Sequence, residues 1–360
     1  MQGQTNSQPS LFGGIAAANW SNVQDTMTSL APASLADSLP EADNTSEALA
    51  TLLQANRLFR TSPWPKPFDK TTHRLHLGDA RDLSWLRDES VHLIITSPPY
   101  WTLKEYDHSE GQLGDIDNYE EFLNELDKVW EECIRVLSPG GRICCIVGDV
   151  CVPRKSGGRH YIMPLHSDNQ VRARRLGLDC LTPIIWHKIA NGSTEAEGNG
   201  AGFYGKPYQP GAIVKNDVEY ILFLRKGGKY RSATPLQKAL SMLTKEEMQG
   251  WFRSFWTDIR GSSTRSGHPA PFPEELASRL IRMFSFAGDI ILDPFVGTGS
   301  TAIAAMEAGR NSVNNEIESN YLQLAHDRLT KAAVRKRLAG ATRTKIQMDL
   351  AEPARRLFAV

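Results

Sequence analysis

The chain has 360 residues, with 41 basic and 41 acidic side chains, 41% hydrophobic residues and five cysteines. That length accommodates one large α/β domain with insertions, or two domains. The apolar fraction excludes a wholly disordered chain, and no apolar run approaches the roughly 20 residues of a membrane span.

Zero formal charge conceals an uneven distribution. Residues 1–56 carry Asp25, Asp37, Glu41, Asp43 and Glu47 but no Lys or Arg, so the remainder is basic. The N-terminus lacks a basic segment followed by an apolar core, and the cysteines (133, 144, 145, 151, 180) form no CxxC pair. Neither secretion nor zinc is indicated, no metal site is expected, and a reducing cytoplasm is the default compartment.

In chain order, residues 1–60 read as a largely disordered acidic arm, with helical potential over 45–59, and Ser62–Pro67 as a stiff Pro-rich linker. Short apolar strands are predicted at 73–77, 91–96, 142–148, 181–187, 218–224, 289–293 and 311–316. The spacing of Phe122, Leu123, Leu126, Val129, Trp130, Ile134 and Leu137 predicts a helix over 119–137, stopped by Ser138-Pro139-Gly140-Gly141. Further helices are expected at 274–286, from about Gly299, and from Glu318 to about Leu338. Alternating strands and helices predict a mostly parallel sheet covered on both faces. The stretches 189–216 and 226–270 look least regular, and insertions of that length are usually functional or disordered.

Two basic runs stand out. Residues 151–190 hold Arg154, Lys155, Arg159, Arg172, Arg174, Arg175 and Lys188 against Asp168 and Asp179, and 328–346 hold seven cations and no acid. Such runs are more often solvated faces than binding sites, so alone they only permit a polyanionic partner.

Two loops carry chemistry. Asp293-Pro294-Phe295-Val296-Gly297-Thr298-Gly299-Ser300-Thr301 follows a strand and opens a helix, which lets backbone approach a ligand closely and aims helix amides at it. The glycines alone are a weak dinucleotide signal, and no phosphate-loop lysine is present. Glu316, at the end of the next strand, stands where it can accept hydrogen bonds from ribose hydroxyls; the plainer reading is an acid stabilised by a helix dipole. Thr96-Ser97-Pro98-Pro99-Tyr100-Trp101 closes another strand. Its two prolines fix φ twice and remove two donors, leaving rigid carbonyl acceptors beside an aromatic ring.

Together, Ser97-Pro98-Pro99-Tyr100 and Asp293–Ser300 resemble the amino-group DNA methyltransferases of the permuted β class, in which the catalytic loop precedes the S-adenosylmethionine loop. Supporting segments are His76–Asp79, Leu137–Gly141, Ile184–Lys188, Glu219–Phe223 and His268–Pro273. Where the family commonly has Gly before the ribose acid, this chain has Asn314-Asn315-Glu316.

The resemblance implies a seven-stranded Rossmann-like methyltransferase sheet. Its catalytic-loop half would be 68–188, target-recognition insertions 189–267 around the strand 218–224, a cofactor half 268–338 and a C-terminal tail 339–360. It implies Ser97, Pro98, Pro99 and Tyr100 as catalytic residues, with Ser97 and the Pro98 carbonyl accepting from the target amine and Tyr100 stacking on a flipped base. Asp293 would bind the methionine ammonium, with Pro294, Phe295, Gly297, Gly299, Ser300, Thr301, Glu316, Asp79 and Phe272 completing the cofactor site. Double-stranded DNA is the implied partner, its phosphates held by Arg154, Lys155, Arg172, Arg174, Arg175 and Lys188. A cognate restriction endonuclease would be a second partner, and the oligomeric state is open, a homodimer included. Ser in the first loop position resembles the cytosine-N4 enzymes, while adenine-N6, another amide or RNA nitrogen, and a non-catalytic DNA-binding protein remain alternatives. Cys144 and Cys145 read as packing residues.

Overall fold

The computed structural model describes residues 68, 70–101, 111–152, 158–188, 216–261, 272–338 and 343–350. The acidic arm, Arg154, Lys155 and most of the 189–216 insertion lie outside them.

The strands are β1 (Lys70–Leu77), β2 (Val91–Thr96), β3 (Leu137–Val147), β4 (Val150–Val152), β5 (Tyr161–Met163), β6 (Asp179–His187), β7 (Val218–Arg225), β8 (Phe255–Trp256), β9 (Ile290–Asp293), β10 (Asn311–Glu316) and β11 (Arg343–Asp349). The helices are α1 (Tyr119–Val136), α2 (Leu165–Arg175), α3 (Pro235–Leu240), α4 (Lys245–Trp251), α5 (Glu274–Phe284), α6 (Ser300–Glu307) and α7 (Ser319–Leu338). The main sheet runs β11-β1-β10-β9-β2-β3-β7-β6-β8, and β4 and β5 form a separate antiparallel ribbon.

From β11 to β3 every pairing is parallel, and β7 alone runs against its neighbours β3 and β6. The carboxyl ends of β1, β10, β9, β2 and β3 therefore share one edge, where ligands of open α/β sheets bind. Alternation along the central strands explains the two covered faces. Ile94, Ile143, Cys145 and Val147 join a cluster with Phe122, Leu126 and Trp130 of α1. Leu93, Ile95, Cys144 and Ile146 join one with Leu276, Leu280 and Ile281 of α5. Each such fully buried side chain contributes about 1.5–3 kcal/mol. Burial pushes the Cys144 and Cys145 thiols far up, so both are packing groups and not thiolates.

Helix α1 starts where Asn118 accepts from the Glu121 amide at 3.0 Å, a side-chain cap for an otherwise unpaired donor. The chain then passes directly into β3, which begins at Leu137 and includes the Ser-Pro-Gly-Gly segment expected to be a turn.

The sheet has nine strands where seven were expected. β8, only two residues long, pairs with β6, and β11 pairs along β1 at the opposite edge. Residues 343–349 are thus an edge strand and not tail: Thr344, Ile346 and Met348 are half-buried while Arg343, Lys345 and Gln347 are exposed. The irregular stretch after Lys226 contains α3 and α4, the latter opened by a capping box between Thr244 and Glu247. Trp256 is core, whereas Phe252 and Phe255 are exposed. Among the described residues no helix is long and apolar enough to cross a membrane.

Candidate active site

Strands β2 and β9 are adjacent and parallel, with Leu93 opposite Ile291 and Ile94 opposite Leu292. The two loops singled out in the sequence, almost two hundred residues apart, therefore leave the same sheet edge side by side.

In the first loop Pro98 and Pro99 are buried and Ser97 is half-buried. Ser97 Oγ donates to Tyr100 Oη at 3.1 Å, and Tyr100 Oη donates to the Ile146 carbonyl of β3 at 3.4 Å. This relay spends the Ser97 proton and leaves the lone pairs of its oxygen to accept. Tyr100 is only 5% exposed, so its first visible task is to hold Ser97. Trp101 follows at φ +46°, a left-handed backbone that costs a bulky residue about 1–2 kcal/mol. Its indole donates to the Ile116 carbonyl at 2.9 Å and packs edge-on to Tyr119, which pins the loop's exit.

The second loop is organised by two buried acids. Asp293 accepts from the Phe295 amide at 3.1 Å and from Thr301 Oγ1 at 2.6 Å. The buried Thr96 hydroxyl also favours its charged form, although it falls short of hydrogen-bond geometry. Burial still dominates and raises Asp293 to about 6. Glu316 accepts from the amides of Gly297 at 2.8 Å, Ile317 at 3.1 Å and Glu318 at 3.1 Å, yet burial raises it to about 7. Among the described residues neither acid has a cationic partner.

The residue in the place of the family's usual glycine, Asn315, ties two strand ends together. Its carbonyl accepts from the Val296 amide at 3.0 Å, and its side-chain amide donates to the Gly78 carbonyl at 2.8 Å. Gly299, at φ +86°, caps α6 without a side chain, and a Cβ there would meet Ala325 Cβ of α7 at 3.1 Å. Asp79 is engaged by Arg81, which also reaches Glu125 of α1, so its role in ordering the adjoining loop is the visible one. Phe272 packs half-buried against the α5 cluster.

This cradle fits a ligand bearing an ammonium and hydroxyl donors, such as S-adenosylmethionine. Among the described residues two buried acids lack counter-charges and Asn315 Oδ1 is a buried acceptor without a partner, and Gly78, Gly297 and Gly299 keep side chains out of the loop. Among the described residues no cluster of His, Cys, Asp or Glu is placed to hold a metal.

The expected phosphate contacts are not brought together. Arg172 is turned inward to α1, with Asp127 at 2.6 Å, Glu120 at 2.8 Å and Asn124 at 2.9 Å. Arg174 and Arg175 are exposed but lie at the far end of α2, next to the start of β6 and so toward the opposite sheet edge. Lys188 pairs with Glu219 at 2.6 Å.

Some contributors had no sequence signal. Arg328 of α7 donates to the Thr298 carbonyl and pairs with Glu274 at 2.6 Å, holding the cofactor loop from behind. His166 Nδ1 lies 2.6 Å from Asp149 Oδ1 and its ring stacks on Tyr220 at 3.7 Å, which fastens α2 to the end of β3.

A nine-stranded, mostly parallel sheet with a Ser-Pro-Pro-Tyr loop beside a glycine-rich acidic loop defines a methyltransferase of the nucleic-acid amino-group class. The chain belongs to the DNA methylase family, whose profile matches residues 91–327. It is 36% identical over 283 residues to the type II methyltransferase M.MthZI of Methanothermobacter thermautotrophicus, covering 73% of this chain and 78% of that one. A candidate DNA modification methylase from Thermus thermophilus, solved in complex with S-adenosyl-L-methionine, is 46% identical with a TM-score of 0.61, over 77% of this chain and 98% of that one. The cytosine-N4-specific PvuII DNA methyltransferase shares the fold at 16% identity and a TM-score of 0.54, over 76% of this chain and 96% of that one.

Proposed function

We propose that the chain transfers a methyl group from S-adenosylmethionine to the exocyclic N4 amine of a cytosine swung out of double-stranded DNA. The observation that carries this reading is the adjacency of β2 and β9, which puts an acceptor loop and a cofactor-type loop on one sheet edge.

The cofactor supplies a methyl group already activated by a sulfonium, so the protein's task is alignment. An exocyclic amine is a poor nucleophile because its lone pair is delocalised into the ring. Acceptors on both N–H bonds favour a pyramidal nitrogen with that lone pair aimed at the methyl. Ser97 Oγ, its proton committed to Tyr100, and the carbonyl of buried Pro98 are those acceptors. Tyr100 fixes Ser97 and offers its remaining surface to the extruded base. Asp293 receives the ammonium, Glu316 the ribose hydroxyls, and Phe295, Gly297, Gly299, Ser300 and Thr301 line the path between. Pro294, Asp79 and Phe272 frame it. Arg154 and Lys155, which lie outside the described residues, remain the proposed phosphate contacts on the strength of their charge and their place in the sequence between β4 and β5.

Cytosine is preferred because a hydroxyl leads the acceptor loop, as in the cytosine-N4 enzymes that the loop resembles. Digesting DNA methylated by the purified chain to nucleosides and identifying the product by mass tests this: N4-methylcytosine is expected, and N6-methyladenine would transfer the same geometry to adenine.

A further inference from the structure

Resting on the proposed methyl transfer to a base amine, we infer that Glu219 of β7 is the anion that stabilises the charge arriving on the target nitrogen and that takes up the proton it then loses. Among the described residues of the Ser97 loop, 97–101, there is no carboxylate. Glu219 supplies one from another strand: it is 7% exposed and opens toward Tyr100 across Gly148. A Cβ at Gly148 would lie 3.4 Å from both Glu219 Cγ and Tyr100 Cε2, so the missing side chain leaves those two groups facing each other. Tyr100 in turn holds Ser97, so Ser97, Tyr100 and Glu219 are neighbours around Gly148.

Glu219 also keeps one oxygen open. Its Oε1 accepts from Lys188 Nζ at 2.6 Å, and among the described residues no hydrogen bond reaches Oε2. Asp293 and Glu316 have both oxygens engaged, by Thr301 and an amide and by three amides, while Asp149 is held by His166 through Oδ1 and does not border Gly148 and Tyr100 as Glu219 does.

The chemistry requires such a group. The amine's lone pair forms the N–C bond as the C–S bond breaks with its electron pair staying on sulfur. Positive charge thereby moves from sulfur to nitrogen. The resulting methylammonium-like –NH2CH3+ gives one proton to Glu219 Oε2, leaving neutral –NHCH3, and the carboxyl then releases that proton to water. A nearly buried carboxylate acts on this charge far more strongly than it would in bulk solvent.

The test is single-turnover methyl transfer by Glu219→Gln and by the double variant Glu219→Gln/Lys188→Met, with DNA and cofactor affinities measured in parallel. The single variant removes the carboxylate that pairs with half-buried Lys188, and the double variant removes the lysine charge as well while Met keeps much of the stem beside Gly261. The expected result is a loss of methyl transfer of about a hundredfold or more in both variants, with both affinities within about twofold of wild type. Recovery of the rate in the double variant would mean that Glu219 only pairs with Lys188, and the inference would be overturned. A near-normal rate in the single variant would overturn it as well. Mass analysis of wild-type product separates these outcomes from failure of the underlying reading: a wild-type chain that methylates no DNA sinks both, whereas N6-methyladenine leaves the role of Glu219 standing.

Discussion

Replacing Glu316 by Gln isolates the energetic burden that this fold places on a buried acid. Burial raises Glu316 from 4.5 to about 7 despite its amide partners. At about 1.4 kcal/mol per pKa unit, that difference corresponds to roughly 3 kcal/mol. The folded chain holds the proton more tightly than the unfolded one, so the stabilisation is fully present below 4.5 and is lost as pH rises through 7. Asp293 shifts in the same direction, is present in both proteins and is coupled to Glu316, so its own contribution cancels only in part. Wild-type stability minus that of Glu316→Gln should therefore fall by roughly 3 kcal/mol between pH 4.5 and pH 8. Urea unfolding of the ligand-free proteins at the two pH values measures it. A difference that stays flat, or that grows with pH, would refute the claim that this acid lacks compensating charge.

In the proposed site the same acids couple cofactor binding to protons: an ammonium on Asp293 and hydroxyl donors on Glu316 would favour the ionised forms, so S-adenosylmethionine affinity should rise with pH through 6–7 with protons released. Calorimetry in buffers of different ionisation enthalpy reads that release, and proton-neutral binding contradicts it. Gly299→Ala should destabilise by roughly 2–5 kcal/mol, combining a left-handed backbone penalty with overpacking against Ala325, and denaturant unfolding checks it. Ser97→Ala should lower methyl transfer greatly while retaining cofactor binding, because the acceptor acts mainly at the transition state. Tyr100→Phe should lower transfer by about tenfold, since Ser97 survives but loses the partner that orients its proton. Equal rates for Tyr100→Phe and wild type would remove the relay from the mechanism.

Local chemistry was readable wherever it depends on neighbours in sequence. The period of α1, the apolar runs of β2 and β9 and the two loops all follow from residues a few positions apart. β8 was too short to leave a pattern, and it exists because β6 offers it an edge. β11 does alternate, but its outward Arg343 and Lys345 read as part of a basic tail until β1 supplied the pairing partner. Within the basic run 151–190, Arg172 shows the same limit: it is neutralised by Asp127 and Glu120, 45 and 52 residues away, and no local rule announces that.

The amino-acid order alone determined the strand-and-helix alternation and the identity of both site loops, because steric and periodic constraints act over a few residues. Only the folded sheet decided that those loops meet, that two acids are buried without counter-ions, and that Glu219 faces Tyr100 across Gly148. Those properties depend on which strands lie side by side and on how water is excluded between them, and neither is set until distant segments come together.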